Sequence, residues 1–308
     1  MIVESVIPDA LDGERLDRAV AVIVEVTRSD AASLVDRGAV SVNGAVTVRR
    51  SLRVRTGDLV NVDFEPSSVA EPLVPDASVV FDVVYEDANV IVIDKPAGLV
   101  VHPGAGNQTA TLVHGLLARF PELARLAVGD QAFRPGIVHR LDKGTSGLLM
   151  VGRTPNAVAV LIGQLRSRSV SRHYLALARG EFRSLSGVID APVGRSDADP
   201  TKMTVSVHGR EAITNYRVRD AFQVPEPTTL VECWLETGRT HQIRVHLSAI
   251  GHPVVGDQRY GGSRGAVKSA RPWLHAFRLS FDDPVTGVLK EFESPVPPDL
   301  QVILATLS

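Results

Sequence analysis

The chain has 308 residues, 44% of them hydrophobic, enough for a substantial core and for one large domain or a large one with a small companion. Its 33 Lys and Arg against 35 Asp and Glu leave a formal net charge of -2, which argues against a coat protein held to nucleic acid by global basicity but leaves room for a local basic patch. The single cysteine, Cys233, lies in an apolar run and reads as core, so a disulfide within the chain is excluded and a reducing compartment is expected. No basic N-terminal segment leads into an apolar stretch and no apolar run reaches membrane-spanning length, so a cytoplasmic protein without membrane attachment is expected.

An N-terminal domain is predicted over residues 1–64, with 14 to 64 as its compact part. Leu16, Ala19, Val20 and Ile23 recur at helical spacing, and Thr27 or Ser29 is placed to cap a second helix in which Ala32, Leu34 and Val35 precede Gly38 as the stop. Val40 and Val42 lead into Asn43-Gly44, a hairpin turn signal, and Val46 and Val48 leave it. Arg49, Arg50, Arg53 and Arg55 follow with no acid between them, and Arg28 and Arg37 bracket the second helix. Acids slightly outnumber bases over the whole unit, so these arginines form either a phosphate-contacting face or an ordinary solvated run. Residues 65–78 carry three prolines and no amphipathic period, the composition of an extended linker.

Residues 79–308 are rich in strand signals. Apolar and β-branched runs at 79–85, 90–93, 147–153, 173–179, 212–218, 229–235 and 274–281 predict strands, and helical patterns appear at 110–119, 155–166 and 240–250. Strands and helices do not alternate one for one, which disfavours a doubly wound parallel sheet. The expected class is α+β, with a mixed, largely antiparallel sheet and flanking helices. No period of about 20–50 residues recurs, so a repeat architecture is out.

Chemistry concentrates between Arg134 and Val151. Asp142 stands in the middle of a charged turn bracketed by Gly136, Gly144 and Gly147, and an apolar run that reads as a buried strand follows. On composition alone, Arg140, Asp142 and Lys143 fit a solvated loop equally well. Two further stretches change the balance: Leu235-Glu236-Thr237-Gly238-Arg239-Thr240-His241-Gln242-Ile243-Arg244-Val245-His246-Leu247, and Ser171-Arg172-His173-Tyr174-Leu175-Ala176-Leu177 between the two. Together with His139-Arg140-Leu141-Asp142, in this order, they closely resemble the motifs of the RluA/RluD-type RNA pseudouridine synthases. The helix-helix-hairpin unit with its arginines resembles the S4-like RNA-binding domain.

The resemblance covers nearly the whole chain. It implies an enzyme that detaches uracil from ribose in RNA, rotates it and rejoins it through a carbon, on the pseudouridine synthase fold. Asp142 would be the catalytic carboxylate, acting as a nucleophile toward the sugar or the base, or as a base on the sugar. Arg244 would pair with it, favouring its ionised form and holding its oxygens in one orientation. Tyr174 would stack on the target base, and its hydroxyl would assist removal of the carbon-5 proton, a weak role for a phenol. The base must be flipped out of its stack, and Arg140 and Lys143 stand where they could fill the gap or grip neighbouring phosphates. His139 joins them in the expected substrate-binding set, and Ile243 and Leu247 are candidate pocket residues that fit a core equally well. Many family members carry an acidic residue where Gly144 stands, which is expected to alter loop geometry and leave the chemistry intact.

Lys95-Pro96-Ala97-Gly98-Leu99-Val100-Val101-His102-Pro103-Gly104 resembles another family stretch beside the active site. By itself it is a turn-rich loop, from which Lys95 and His102 could approach phosphates. None of the nine histidines forms a His-Glu-x-x-His pair, and His241 and His246, five apart, lie off a common helical face, so no metal is predicted. Gly144-Thr145-Ser146-Gly147 lacks the spacing of a hydrolase elbow, and Gly261-Gly262-Ser263-Arg264-Gly265 lacks a Walker lysine. The isomerisation is redox-neutral, and no cofactor is expected. The partner expected from the motifs is large-subunit ribosomal RNA or its precursor particle, met by a monomer. The alternatives are transfer RNA as substrate, or a non-catalytic RNA-binding assembly factor; retention of Asp142, Tyr174 and Arg244 argues against the second.

Overall fold

The computed structural model describes residues 2–24, 26, 28–64, 73–104, 106–128, 131–199 and 201–308, without the side chains of Arg28 and Ser29. The chain divides into two compact units, Met1–Val74 with Val128–Ala132, and Pro75–Ala127 with Phe133–Ser308. Among the described residues no helix is long and apolar enough to cross a membrane.

The first unit holds β1 (Ile2–Val6), α1 (Leu16–Ile23), α2 (Arg28–Asp36), β2 (Val40–Val42), β3 (Ala45–Val46) and β4 (Leu59–Asp63). Leu16, Ala19 and Val20 form the buried stripe of α1 and pack with Leu34, Val35, Val60 and Val62 in one core. Asn43 and Gly44 both adopt positive φ, 51° and 81°, the backbone a two-residue hairpin loop requires. The sheet runs β1-β4-β2-β3, and β1, unsuspected from sequence, pairs antiparallel with β4 along its whole length. The hairpin's second strand ends at Val46, short of the expected Val48, and the expected cap at Thr27 lies outside the described residues.

The second unit contains β5 (Asp82–Glu86), β6 (Val90–Lys95), α3 (Leu112–Arg119), β7 (Ser146–Gly152), α4 (Pro155–Arg166), β8 (Ser171–Arg179), β9 (Ser186–Asp190), β10 (Val193–Arg195), β11 (Met203–Val205), β12 (Ile213–Phe222), β13 (Thr228–Leu235), α5 (Gln242–Ala249), β14 (Leu274–Asp282), β15 (Leu289–Glu293) and α6 (Pro298–Leu304). Of the predicted linker, residues 65–72 lie outside the described residues. Asp76 belongs to this unit, its backbone N–H donating to His114 O at 2.9 Å.

Nine strands form one mixed, mostly antiparallel sheet in the order β5-β6-β7-β14-β8-β13-β12-β9, with β15 on β14. The class is α+β. Its one parallel junction, β7 against β14, consists of two residue pairs, His275 with Ser146 and Ala276 with Gly147. Gly147 has φ 113°, and a Cβ there would lie 2.2 Å from Ala276 O, so the strands meet this closely only because the residue is glycine. Every residue of β7 is buried, and its Leu148 and Met150 pack with Leu161 of α4 and Phe281 of β14. Thr154 caps α4 by accepting from Ala157 N at 3.1 Å, and Pro155 opens the helix. The seam fixes the start of β7, and the turn carrying Asp142 precedes it directly.

Candidate active site

A cavity of about 310 Å³ is enclosed by the 134–145 loop, β8 and the segment from Leu235 into α5. That is the low end of the range for small-ligand pockets, room for about one flipped nucleotide. Ile137, Val138, Leu165, Ile243 and Leu274 supply apolar surface, and Asp142, Tyr174 and Arg244 face the same space.

Asp142 lies in a turn closed by Thr145 N donating to its own carbonyl at 3.0 Å. Its side chain is 15% exposed, and Oδ2 accepts from Arg244 Nη1 at 2.9 Å. The other edge of that guanidinium is held by Asp257, which accepts from Nε at 2.6 Å and from Nη2 at 3.0 Å. Asp257 is completely buried, and its Oδ1 also accepts the N–H groups of Arg259 and Tyr260 at 3.0 and 3.2 Å. A bidentate contact to a rigid carboxylate fixes the plane of Arg244 and thereby the direction from which it meets Asp142. Burial opposes the arginine's charge, but the Asp257 hydrogen bond and the field of Asp142 outweigh it and raise the pKa. Tyr260 lies beneath the guanidinium, its ring centre 5.1 Å from Cζ.

The first turn of α5 is bolted to β12. Gln242 accepts from Thr237 Oγ1 and Arg239 N at 2.8 and 2.9 Å and donates to Ile213 O and Thr214 Oγ1 at 3.0 Å each. His246 bridges Thr214 Oγ1 and Ala191 O, both at 2.9 Å. His241 enters the helix in the left-handed region, φ 57°, with Nε2 4.0 Å from Asp142 Oδ2 and Nδ1 2.8 Å from the Tyr260 hydroxyl. Burial lowers its pKa against the pull of Asp142. The polar residues of this motif are therefore mostly scaffolding that aims Arg244.

The opposite wall is different. Tyr174 and Arg172 are alternate residues of β8 and share one face. Burial raises the Tyr174 pKa, with Arg172 opposing and Asp142 adding, so at neutral pH the side chain is a phenol, suited to stacking and donating a hydrogen bond. Arg172 is 7% exposed, its Nε is buried without a partner, and its guanidinium forms no hydrogen bond or ion pair with any described residue. His139 accepts Met150 N at 3.1 Å on Nε2, which assigns the proton to Nδ1, and that atom too is buried without a partner. Burial and then the Arg172 charge push His139 down to about 3, so it is neutral.

The remaining expected site residues separate. Arg140 is exposed at the cavity rim, whereas Lys143 is exposed without lining the cavity. Leu247 is a correction: it is wholly buried, does not line the cavity and belongs to the core face of α5. Lys95 is another. It is completely buried, its Nζ donates to Pro96 O and Leu99 O at 2.8 and 2.9 Å, and burial brings its pKa to about 7, so it holds its turn and meets no phosphate. His102 does line the cavity, its Nδ1 2.9 Å from Pro103 O. Gly144 has no special backbone angle; a Cβ there would sit 3.1 Å from Pro272 Cδ, so the expected gain in backbone freedom is replaced by a close approach. In the first unit Arg50 pairs with Asp36 and Arg53 donates to Gly13 O at 2.6 Å, while Arg37, Arg49 and Arg55 are exposed; the Arg28 side chain is outside the described residues. Sequence reasoning missed Asp257, Arg172, His241 and Tyr260 as site residues. Asp257 sits in a Gly-Asp-Gln-Arg turn with no mark to separate it from a solvated one.

The sheet and this cavity define the class, and the RNA pseudouridylate synthase family profile matches residues 89–249, just over half of the chain. The chain belongs to that family and is an RNA pseudouridine synthase, an isomerase of the RluD type. It is 42% identical over 314 residues to the ribosomal large subunit pseudouridine synthase D of Pseudomonas aeruginosa, covering 98% of this chain and 94% of that one. An uncharacterized RNA pseudouridine synthase of Bacillus subtilis, YlyB, is 42% identical over 299 residues, 96% of this chain and 94% of the relative. Among solved structures, human RNA pseudouridylate synthase domain containing 1 superposes with a TM-score of 0.57 at 30% identity, over 76% of this chain and 90% of that chain.

Proposed function

We propose that the protein isomerises specific uridines of large-subunit ribosomal RNA to pseudouridine, with Asp142 as the catalytic carboxylate. The observation that carries this reading is the Asp142–Arg244 contact at 2.9 Å at the wall of a nucleotide-sized cavity. The ion pair holds the carboxyl group in one orientation, which either attack on the sugar or proton abstraction from it requires. Tyr174 stacks on the flipped base, Ile243 lines its pocket, and Arg140 and Lys143 engage the RNA around the vacated stack. The choice of ribosomal RNA over transfer RNA is supported by several relatives named ribosomal large subunit pseudouridine synthase D, matched along nearly their whole length. Residues 1–64 act as an S4-like RNA-binding domain through Arg37, Arg49 and Arg55, and the enzyme works in the cytoplasm as a monomer. Mapping pseudouridines in total RNA from cells with and without the gene tests the substrate. Loss confined to large-subunit ribosomal RNA is expected, and loss confined to transfer RNA would overturn the assignment.

A further inference from the structure

Arg172 is a cation in an unusual position. It is 7% exposed, its Nε is buried with no partner, no carboxylate pairs with it among the described residues, and it lines the same cavity as Asp142 and Tyr174. Space has been kept for it: a Cβ on Gly238, another cavity residue, would lie 2.8 Å from Arg172 Nη1, and Gly238 has no positive φ to require a glycine on backbone grounds. An arginine cannot escape burial by losing its proton in this range, so an uncompensated one at a pocket wall is complementary to negative charge that arrives with the ligand.

We propose that Arg172 is a further catalytic group, whose guanidinium donates to a carbonyl oxygen of the target uracil and stabilises the charge that builds there when the glycosidic bond breaks. The proposal rests on the reading of Asp142 given above. When C1′–N1 cleaves, the bonding pair stays on N1, giving a uracil anion with charge shared by its O2 and O4. The electron-poor sugar is met by Asp142, through a bond to it or by its taking a sugar proton. After the base turns, a pair from C5 forms C1′–C5 as the bond from Asp142 to the sugar breaks, or as Asp142 returns the sugar proton; C5 loses its proton and N1 gains one, so nothing is oxidised or reduced. Arg172 lies two residues before Tyr174 on one strand face, beside the surface on which the ring would stack. Arg244, by contrast, has its guanidinium committed to Asp142 and Asp257 and is not available for the leaving group.

The test uses the full chain and large-subunit ribosomal RNA transcripts carrying either uridine or 5-fluorouridine, with rearranged nucleoside separated by chromatography and identified by mass. Fluorine at C5 makes the uracil anion easier to form, so a group that stabilises that anion should matter less. For Arg172→Met we expect the single-turnover rate on uridine RNA to fall about 10²–10³-fold, the loss of an oxyanion donor. The loss on 5-fluorouridine RNA should be at least about tenfold smaller, with RNA affinity within about threefold and a melting temperature equal to or above that of the parent. Arg172→Lys should recover part of the rate, and Gly238→Ala, which crowds Nη1 but leaves the arginine present, should show the same substrate dependence. Equal losses on both RNAs in parallel with weakened binding would mean a phosphate clamp and overturn the proposal, as would a lowered melting temperature with no change in rate. Asp142→Asn run alongside separates the two readings: full conversion by that variant would defeat the underlying assignment, whatever Arg172 does.

Discussion

The two walls of the cavity treat buried charge in opposite ways. On one, Asp142, Arg244 and Asp257 form a chain in which each nitrogen of the guanidinium meets a carboxylate oxygen within 3.0 Å. On the other, Arg172 Nε and His139 Nδ1 are buried and meet no acceptor among the described residues. An unpartnered buried donor costs stability, so a wall that keeps two of them beside a pocket is organised for a ligand rather than for the fold. The paired wall sets geometry before substrate arrives, and the unpaired wall is completed by it. Lys95 offers a third outcome, because a lysine, unlike an arginine, can shed its proton, and burial takes it to about 7.

The comparison breaks most severely if Asp257 is removed. Asp257→Ala leaves Arg244 buried with one partner and should cost about 3–5 kcal/mol in urea unfolding, with loss of activity, because the guanidinium is no longer aimed. Lys95→Met sharpens it through pH. Folding lowers the lysine pKa from its ordinary 10.5 to about 7, so between those values the unfolded chain holds a proton that the folded chain lacks. Stability should therefore rise with pH across that window in the parent relative to Lys95→Met, by up to about 1.4 kcal/mol per unit, and the difference should level off below pH 7. A pH-independent difference would show that Lys95 keeps its charge. The smallest effect is expected in the first unit. Arg49→Ala with Arg55→Ala should weaken RNA binding by less than about tenfold and reduce the salt slope by about one to two, without changing the rate at saturating RNA.

Much of this was legible in the sequence, for identifiable reasons. The predicted helix at 155–166 coincides with α4, where a capping threonine and a first-turn proline mark the start, and the predicted strands at 147–153 and 229–235 fall within a residue of β7 and β13. Asp142 and Arg244 were found as members of motifs. What escaped depends on tertiary context: β1, β9, β10, β11 and β15 are short or have exposed faces, and the parallel seam at Gly147 and Ala276 leaves no local trace. Leu247 and Ile243 have the same chemistry and lie on the same helix, and only packing decides that Ile243 reaches the cavity while Leu247 does not. Lys95 before a proline suggested a solvated turn, and the turn instead closes over the ammonium group.

The most direct measurement is tritium release from large-subunit ribosomal RNA labelled at carbon 5 of uridine, comparing the parent with Asp142→Asn, a change that keeps the size of the side chain and removes its charge. Release by the parent is expected, with a loss of at least about 10³-fold in the variant and RNA affinity within a few-fold. Release by Asp142→Asn at a rate near the parent's would contradict it.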